Sequence, residues 1–387
     1  MATSMNRRAW LKSSALLAGG LTVLPTGLRA LAKAPEAPTL APQPTEEATL
    51  LAEVPQLKAR LLANENPFGP SEKAKQAMLD AVATSYQYPM AYARELAQKI
   101  AAYEGVTPEH ILLDAGSSPL LLAAAMHYGK QGGAIITGDP SYDDLPNKAR
   151  HFNTPIIPVP LTADYKLDLD AMEKKVDGKT ALLYICNPNN PTGTVLETAK
   201  LKAFCERVSK KAPVFVDEAY IDYLPDPQGT TLIDAVKKGQ NVIVARTFSK
   251  LHGFAGLRVG YIVAQPETIK TLSNYVVGGM SISAPAIRAA LVSYQDQVFL
   301  QDALKKTLAS KQFLYETLRK EGYEHIPSFT NFVMFPLRMD SKRFVDEMMK
   351  RGVGVRHWQF ASKEWCRVSI GRLDEMQAFA DAFKQIS

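Results

Sequence analysis

The sequence predicts an α/β protein: a three-layer αβα large domain around a mostly parallel sheet, followed by a smaller α+β domain. Three observations lead there. Continuous apolar runs at residues 181–185, 214–216 and 242–245 suit strands buried on both faces of a parallel sheet. Helix-like segments alternate with these runs, as crossover connections require. Turn residues and polar clusters stand directly behind the runs, at the carboxyl ends where such sheets gather their chemistry.

Each element follows in order. Ser71 caps a helix from Glu72 to about Thr84, with Ala74, Ala77, Met78 and Ala81 on its inner face. Residues 94–103 form a second helix, and residues 111–113 a short strand that ends at Asp114-Ala115-Gly116. Ser117 opens an Ala/Leu-rich helix through Met126. Residues 134–137 make a strand closed by Gly138-Asp139-Pro140, and residues 155–159 an edge strand. From about Ser293 the pattern changes to a long helix over 295–321, an apolar run at 331–335, a helix over 341–351 and a strand at 367–370. The expected division is an N-terminal arm at 51–70, the large domain at 71–290 and the small domain at 291–387.

The chain has 387 residues, 46% hydrophobic and 22% charged, enough to bury the cores of two domains. Its formal charge is +6, but Arg7, Arg8, Lys12, Arg29 and Lys33 precede the first acidic residue, Glu36. The excess therefore sits at the N-terminus, and the pattern gives no nucleic-acid surface. Cys186, Cys205 and Cys366 are odd in number and scattered, so they build neither a disulfide framework nor a zinc site. No metal is expected.

The first 32 residues read as an address. Arg7-Arg8-Ala9-Trp10-Leu11-Lys12 resembles the twin-arginine export motif, an apolar stretch runs from Ala15 to Leu24, and Ala30-Leu31-Ala32 offers a small-x-small cleavage pattern. The apolar stretch contains Gly19-Gly20 and stops at Pro25, too short to span a bilayer stably. Residues 33–50 are a proline-rich tether. The expected destination is the periplasm, reached by the twin-arginine machinery, which carries folded proteins.

Three polar constellations carry the chemistry. Thr247-Phe248-Ser249-Lys250 follows an apolar strand, and Arg258 comes soon after. An amine held in a desolvated, cation-rich pocket can form an imine, and Ser249 with Arg258 can grip a phosphate. Asp217 closes the run 214–216, where a carboxylate can pair with a pyridinium nitrogen, and Tyr220 three residues on can bond the ring's oxygen. Asn187-Pro188-Asn189-Asn190-Pro191-Thr192-Gly193 fixes a rigid loop that presents the Asn190 amide.

In this order, Asn-Pro-Thr-Gly, Asp-x-x-Tyr and Ser-Lys with a later Arg resemble the fold-type-I aminotransferases that use pyridoxal 5'-phosphate. Residues 62–70, Leu-Ala-Asn-Glu-Asn-Pro-Phe-Gly-Pro, and Tyr88-Pro89 are similar to the histidinol-phosphate aminotransferase branch. The resemblance runs from about residue 58 to the C-terminus. It implies that Gly116-Ser117-Ser118 hold the cofactor phosphate at a helix N-terminus, that Tyr142 stacks on the ring, and that Tyr88 reaches the phosphate of a neighbouring subunit. A homodimer with shared sites follows. The resemblance further implies that Arg367 binds the substrate α-carboxylate and Arg356 its distal group.

The chain departs from the family pattern at Ser117-Ser118-Pro119, at His252 and Phe254, and at His357-Trp358-Gln359. The histidinol-phosphate specificity is therefore not carried over, and His252 and Trp358 stand open between loop packing and substrate contact. The expected reaction moves an amino group between an amino acid and a 2-oxo acid through an imine on Lys250. A decarboxylase, lyase or oxidase on the same scaffold is the alternative; a non-catalytic binding protein would have no use for Lys250 and Asp217.

Overall fold

The computed structural model describes residues 57–386, which belong to one compact unit. The export motif, the tether and the first residues of the arm lie outside the described residues. A seven-stranded sheet is built from β2 (Ile111–Asp114), β3 (Ala134–Asp139), β4 (Ile156–Pro160), β5 (Thr180–Cys186), β6 (Val214–Asp217), β7 (Val242–Thr247) and β8 (Gly260–Val263). Their order is β2-β8-β7-β6-β5-β3-β4, and only β8 runs antiparallel to its neighbours. As expected, the strand after residue 155 lies at the edge.

Because side chains alternate across a strand, the apolar runs serve two cores at once. Leu183, Ile185, Val214, Val216, Val242 and Val244 face one, with Leu96, Ile100, Leu201, Phe204 and Ile287 from helices. Leu182, Tyr184, Phe215, Ile243, Ala245 and Ile262 face the other, beneath Leu120, Ala124 and Tyr128. That last helix, Ser117–Gly129, is hydrophobic on nearly every side, as a helix buried by sheet and neighbours should be.

Ser71 caps Glu72–Val82 by accepting from the Ala74 amide. The next helix, Met90–Glu104, starts four residues before the expected Arg94. Two further helices, Ala284–Ser293 and Gln297–Lys320, lead into a three-stranded antiparallel sheet of β9 (Phe332–Pro336), β11 (Arg356–Phe360) and β12 (Lys363–Ser369), ordered β11-β12-β9. The strand expected at 367–370 therefore begins earlier and ends at Ser369, and β11 was not foreseen. Behind this sheet Leu314, Leu318, Phe344, Phe379 and Phe383 form a third core. The arm joins it: Ala59 and Leu61 are buried there, and β1 (Ala59–Arg60) pairs in parallel with β10 (Val353–Gly354). Among the described residues the three cysteines are free and buried, and no single helix is long and apolar enough to cross a membrane.

Candidate active site

The carboxyl ends of β2, β3, β5, β6 and β7 converge on one place. β2 turns through Gly116, whose φ of +89° belongs to glycine, into the helix Ser117–Gly129, which starts without a side-chain cap. The first amides of a helix have no partner within it, and the helix dipole adds positive potential there. A Cβ at Gly116 would run into the Arg258 guanidinium, so glycine is what allows Arg258 to lie against the helix start. Arg258 Nη1 donates to Ser249 Oγ at 3.2 Å and to the Ala255 carbonyl at 2.9 Å. Gly116, Ser117, Ser249 and Arg258, from three separate segments, thus frame one anion-binding corner; Ser118 stands next in the same first turn.

Asp217 ends β6 and is 2% exposed. Its Oδ1 accepts the Ala219 amide and its Oδ2 the Tyr184 hydroxyl, each at 3.1 Å. Burial pushes its carboxyl up to about 6, against the lowering effect of those two bonds and of the Lys250 charge. Lys250 Nζ lies 5.3 Å from the centre of the Tyr220 ring. The Tyr220 hydroxyl accepts from Asn64 Nδ2 at 3.0 Å.

The loop after β5 is tied down by its own amides. Asn189 Nδ2 donates to the Pro140 carbonyl and to Thr192 Oγ1, and Ser141 Oγ donates to Asn189 Oδ1 at 2.7 Å. Those bonds link the segment carrying Asn190 to the turn carrying Tyr142, a half-buried ring packed against the core below the Ser117–Gly129 helix. Asn190 Oδ1 accepts from Arg367 Nη1 at 2.6 Å. Arg367, 1% exposed, also donates Nη2 to the Leu62 carbonyl at 3.1 Å. Its guanidinium lies 4.6 Å from the Trp358 ring and 5.2 Å from the Phe332 ring.

The structure therefore gathers Lys250, Asp217, Tyr220, Asn190, Ser249, Arg258, Gly116, Ser117 and Arg367. Arg356 pairs across from Arg367 in the small sheet, and its guanidinium lies 5.0 Å from the centre of the Trp358 ring. Tyr88 is not in the cluster: it is 84% exposed, on the loop between two helices. His252 is resolved as packing. Its Nδ1 pairs with Ser293 Oγ at 2.9 Å, its ring sits 4.6 Å from Phe248, and burial lowers its pKa, favouring the neutral form. Trp358, by contrast, touches two arginines of the site. Two residues were missed by sequence reasoning. Tyr184 left one signal, a hydroxyl in an otherwise aliphatic buried strand, and Asn64 left only its place in the Asn-Glu-Asn segment of the arm.

These residues fit pyridoxal phosphate. The uncapped helix, Gly116 and the Arg258–Ser249 pair suit a phosphate. The buried Asp217 carboxylate, costly without a cation, suits a protonated ring nitrogen, and Lys250 offers the amine. The fold agrees. It superposes with a TM-score of 0.79 on the histidinol-phosphate aminotransferase of Sinorhizobium meliloti, solved with pyridoxal 5'-phosphate, at 26% identity over 86% of this chain and 92% of that one. It is the fold of type-I pyridoxal-phosphate transferases.

The family model for aminotransferase class I and II matches residues 58–383. Histidinol-phosphate aminotransferase 2 of Carboxydothermus hydrogenoformans is 36% identical over 332 residues, 84% of this chain and 90% of that one. The aromatic amino acid aminotransferase of Cutibacterium acnes is 32% identical over 326 residues, 84% of this chain and 92% of that one. The chain belongs to the class I and II aminotransferases, which use pyridoxal phosphate.

Proposed function

We propose that the chain transfers an amino group from an amino acid to a 2-oxo acid, with Lys250 as the amine that binds the cofactor and moves the proton. The convergence of Lys250, Asp217, Tyr220, Asn190 and the Arg258 corner at adjacent strand ends carries this reading. Pyridoxal phosphate, when bound, supplies an aldehyde for the amine and a ring that accepts electrons. Arg258, Ser249 and the amides of Ser117 and Ser118 would hold its phosphate. Asp217 would accept from the ring nitrogen and keep it protonated, Tyr220 would donate to the ring oxygen, and Tyr142 would cover the ring. Arg367 binds the substrate α-carboxylate as a fork, steadied by Asn190. Lys250 Nζ then takes the proton from the substrate Cα as general base and returns it as general acid.

The substrate side chain extends toward Trp358, with Arg356 positioned for a distal acidic group. Trp358 beside the carboxylate anchor supports a flat, ring-bearing donor. The exposed row Leu79, Val82, Tyr86, Tyr88 and Met90 supports a homodimer, since large apolar side chains in a contiguous stretch mark an interface. The N-terminal arginine pair, apolar stretch and small-x-small pattern support export to the periplasm.

The test of the reaction is substitution at Lys250 combined with chemical trapping. Lys250→Ala should lose amino transfer to every donor in an amino-acid panel while melting as the parent does. Borohydride reduction of the loaded parent should place the cofactor on the peptide that contains Lys250. Transfer at the parent rate in Lys250→Ala, or a label on another lysine, would refute the assignment.

A further inference from the structure

Asn64 lies on the arm, outside every constellation that the sequence singled out, yet it is 2% exposed and sits between the two sheets' contributions to the site. Its φ is +54°, a left-handed conformation that asparagine tolerates better than most residues. All four of its polar groups are engaged. Its amide N–H donates to Ser369 Oγ at 2.8 Å, and its carbonyl accepts from Asn331 Nδ2 at 2.9 Å. Ser369 Oγ donates back to Asn64 Oδ1 at 2.8 Å, which leaves Nδ2 to donate to the Tyr220 hydroxyl at 3.0 Å. Two residues earlier, the Leu62 carbonyl accepts from Arg367.

The direction of the Tyr220 bond matters. A phenol that accepts from an amide N–H keeps its own proton for another acceptor. The groups about Tyr220 offer no competing acceptor among its described contacts: Lys250 stands over the ring, Phe332 meets it edge-on at 5.2 Å, and Asn64 holds the oxygen from the arm. We propose that Asn64 is a positioning residue that compels Tyr220 to act as donor toward the cofactor's ring oxygen, and so sets the basicity of the imine formed with Lys250. This rests on the role given to Tyr220 above. The same arm segment receives Arg367, so the carboxylate anchor and the phenol are fixed to one stretch of backbone.

A ring oxygen that loses a donor becomes more basic and holds the neighbouring imine proton more tightly. The pH midpoint of the bound cofactor's absorbance reports that proton without any turnover. Tyr220→Phe should raise the midpoint, by on the order of tenfold in the dissociation constant for one lost hydrogen bond. Asn64→Asp keeps the shape and the bond from Ser369 but puts an acceptor where the donor was, so the Tyr220 proton turns toward it and the midpoint rises as well. The new carboxylate also acts through its charge, in both backgrounds, and a double-mutant cycle cancels that part. The expected result is a clearly smaller effect of Asn64→Asp in the Tyr220→Phe chain than in the parent. Equal effects in the two backgrounds would overturn the role of Asn64 while leaving that of Tyr220 standing. No change in Tyr220→Phe itself would overturn the role of Tyr220, and the inference with it. Asn64→Gly, which suits the left-handed backbone, serves for the same cycle if the aspartate variant fails to fold.

Discussion

The Tyr184 hydroxyl donates to Asp217 Oδ2 across two adjacent strands, β5 and β6, with both residues closed off from solvent. The bond satisfies one carboxylate oxygen and the Ala219 amide satisfies the other. Even so, burial dominates, and the carboxyl is pushed up to about 6. A buried acid kept this close to neutrality is an unfavourable feature of the cofactor-free chain, and a favourable one as soon as a cation arrives.

The first prediction follows from that balance. The folded pKa of Asp217 lies above its unfolded value of about 3.9, so the folded chain binds the extra proton between those pH values. Stability of the cofactor-free chain therefore falls as pH rises from about 4 through about 6, by roughly 3 kcal/mol from this group, and stays low above that. Asp217→Asn removes the titration. Its cofactor-free form should melt above the parent at pH 7.5, with the gap closing as pH approaches 4. Amino transfer should fall by orders of magnitude, because an amide does not hold the ring proton. Melting curves across pH decide the first part; a cofactor-free variant less stable than the parent at pH 7.5 would contradict it.

How much of this was legible follows from what each residue touches. β5, β6 and β7 were readable because both faces are buried, which leaves unbroken apolar runs. β8 was not, since its run opens on Gly260 just behind Arg258, inside a segment that reads as a glycine-rich turn. β11 alternates half-buried Arg356, Trp358 and Phe360 with exposed His357 and Gln359, so its apolar signal is only two aromatics, too short to stand out as a strand. Lys250, Asp217 and Asn190 announce themselves because each stands directly behind a strand. Asn64 meets Ser369 at a separation of 305 residues and Tyr220 at 156, and no local pattern encodes such contacts. The helix containing Tyr92 begins early because Pro89 occupies the cap position, where proline's missing N–H costs nothing.

A second prediction concerns the N-terminus, which lies outside the described residues. An export receptor that reads two guanidinium forks does not accept two ammonium groups in their place. Arg7→Lys with Arg8→Lys should hold the chain in the cytoplasm, in active form, since the pocket for the cofactor is built from residues 62–367. Cell fractionation measures this. Periplasmic activity from the double variant in cells that have only the twin-arginine route would reject the export proposal.

The third prediction tests the shared site. Tyr88 is 84% exposed, and among its described contacts none reaches Ser249 or Arg258 of its own chain. In a dimer that buries the row from Leu79 to Met90, it would instead meet the partner's phosphate corner. Tyr88→Phe should then weaken cofactor retention by about 0.5–1.5 kcal/mol, one hydrogen bond's worth. Tyr88→Asp should be far worse, since it sets a carboxylate against a phosphate. Mixing inactive Lys250→Ala chains with inactive Tyr88→Asp chains separates the two arrangements. If Tyr88 serves the partner, a mixed dimer has one site with both lesions and one with neither, so activity returns once subunits exchange. If it serves its own chain, every site keeps one lesion. Mixed dimers confirmed by mass spectrometry yet still inactive would rule out the shared site.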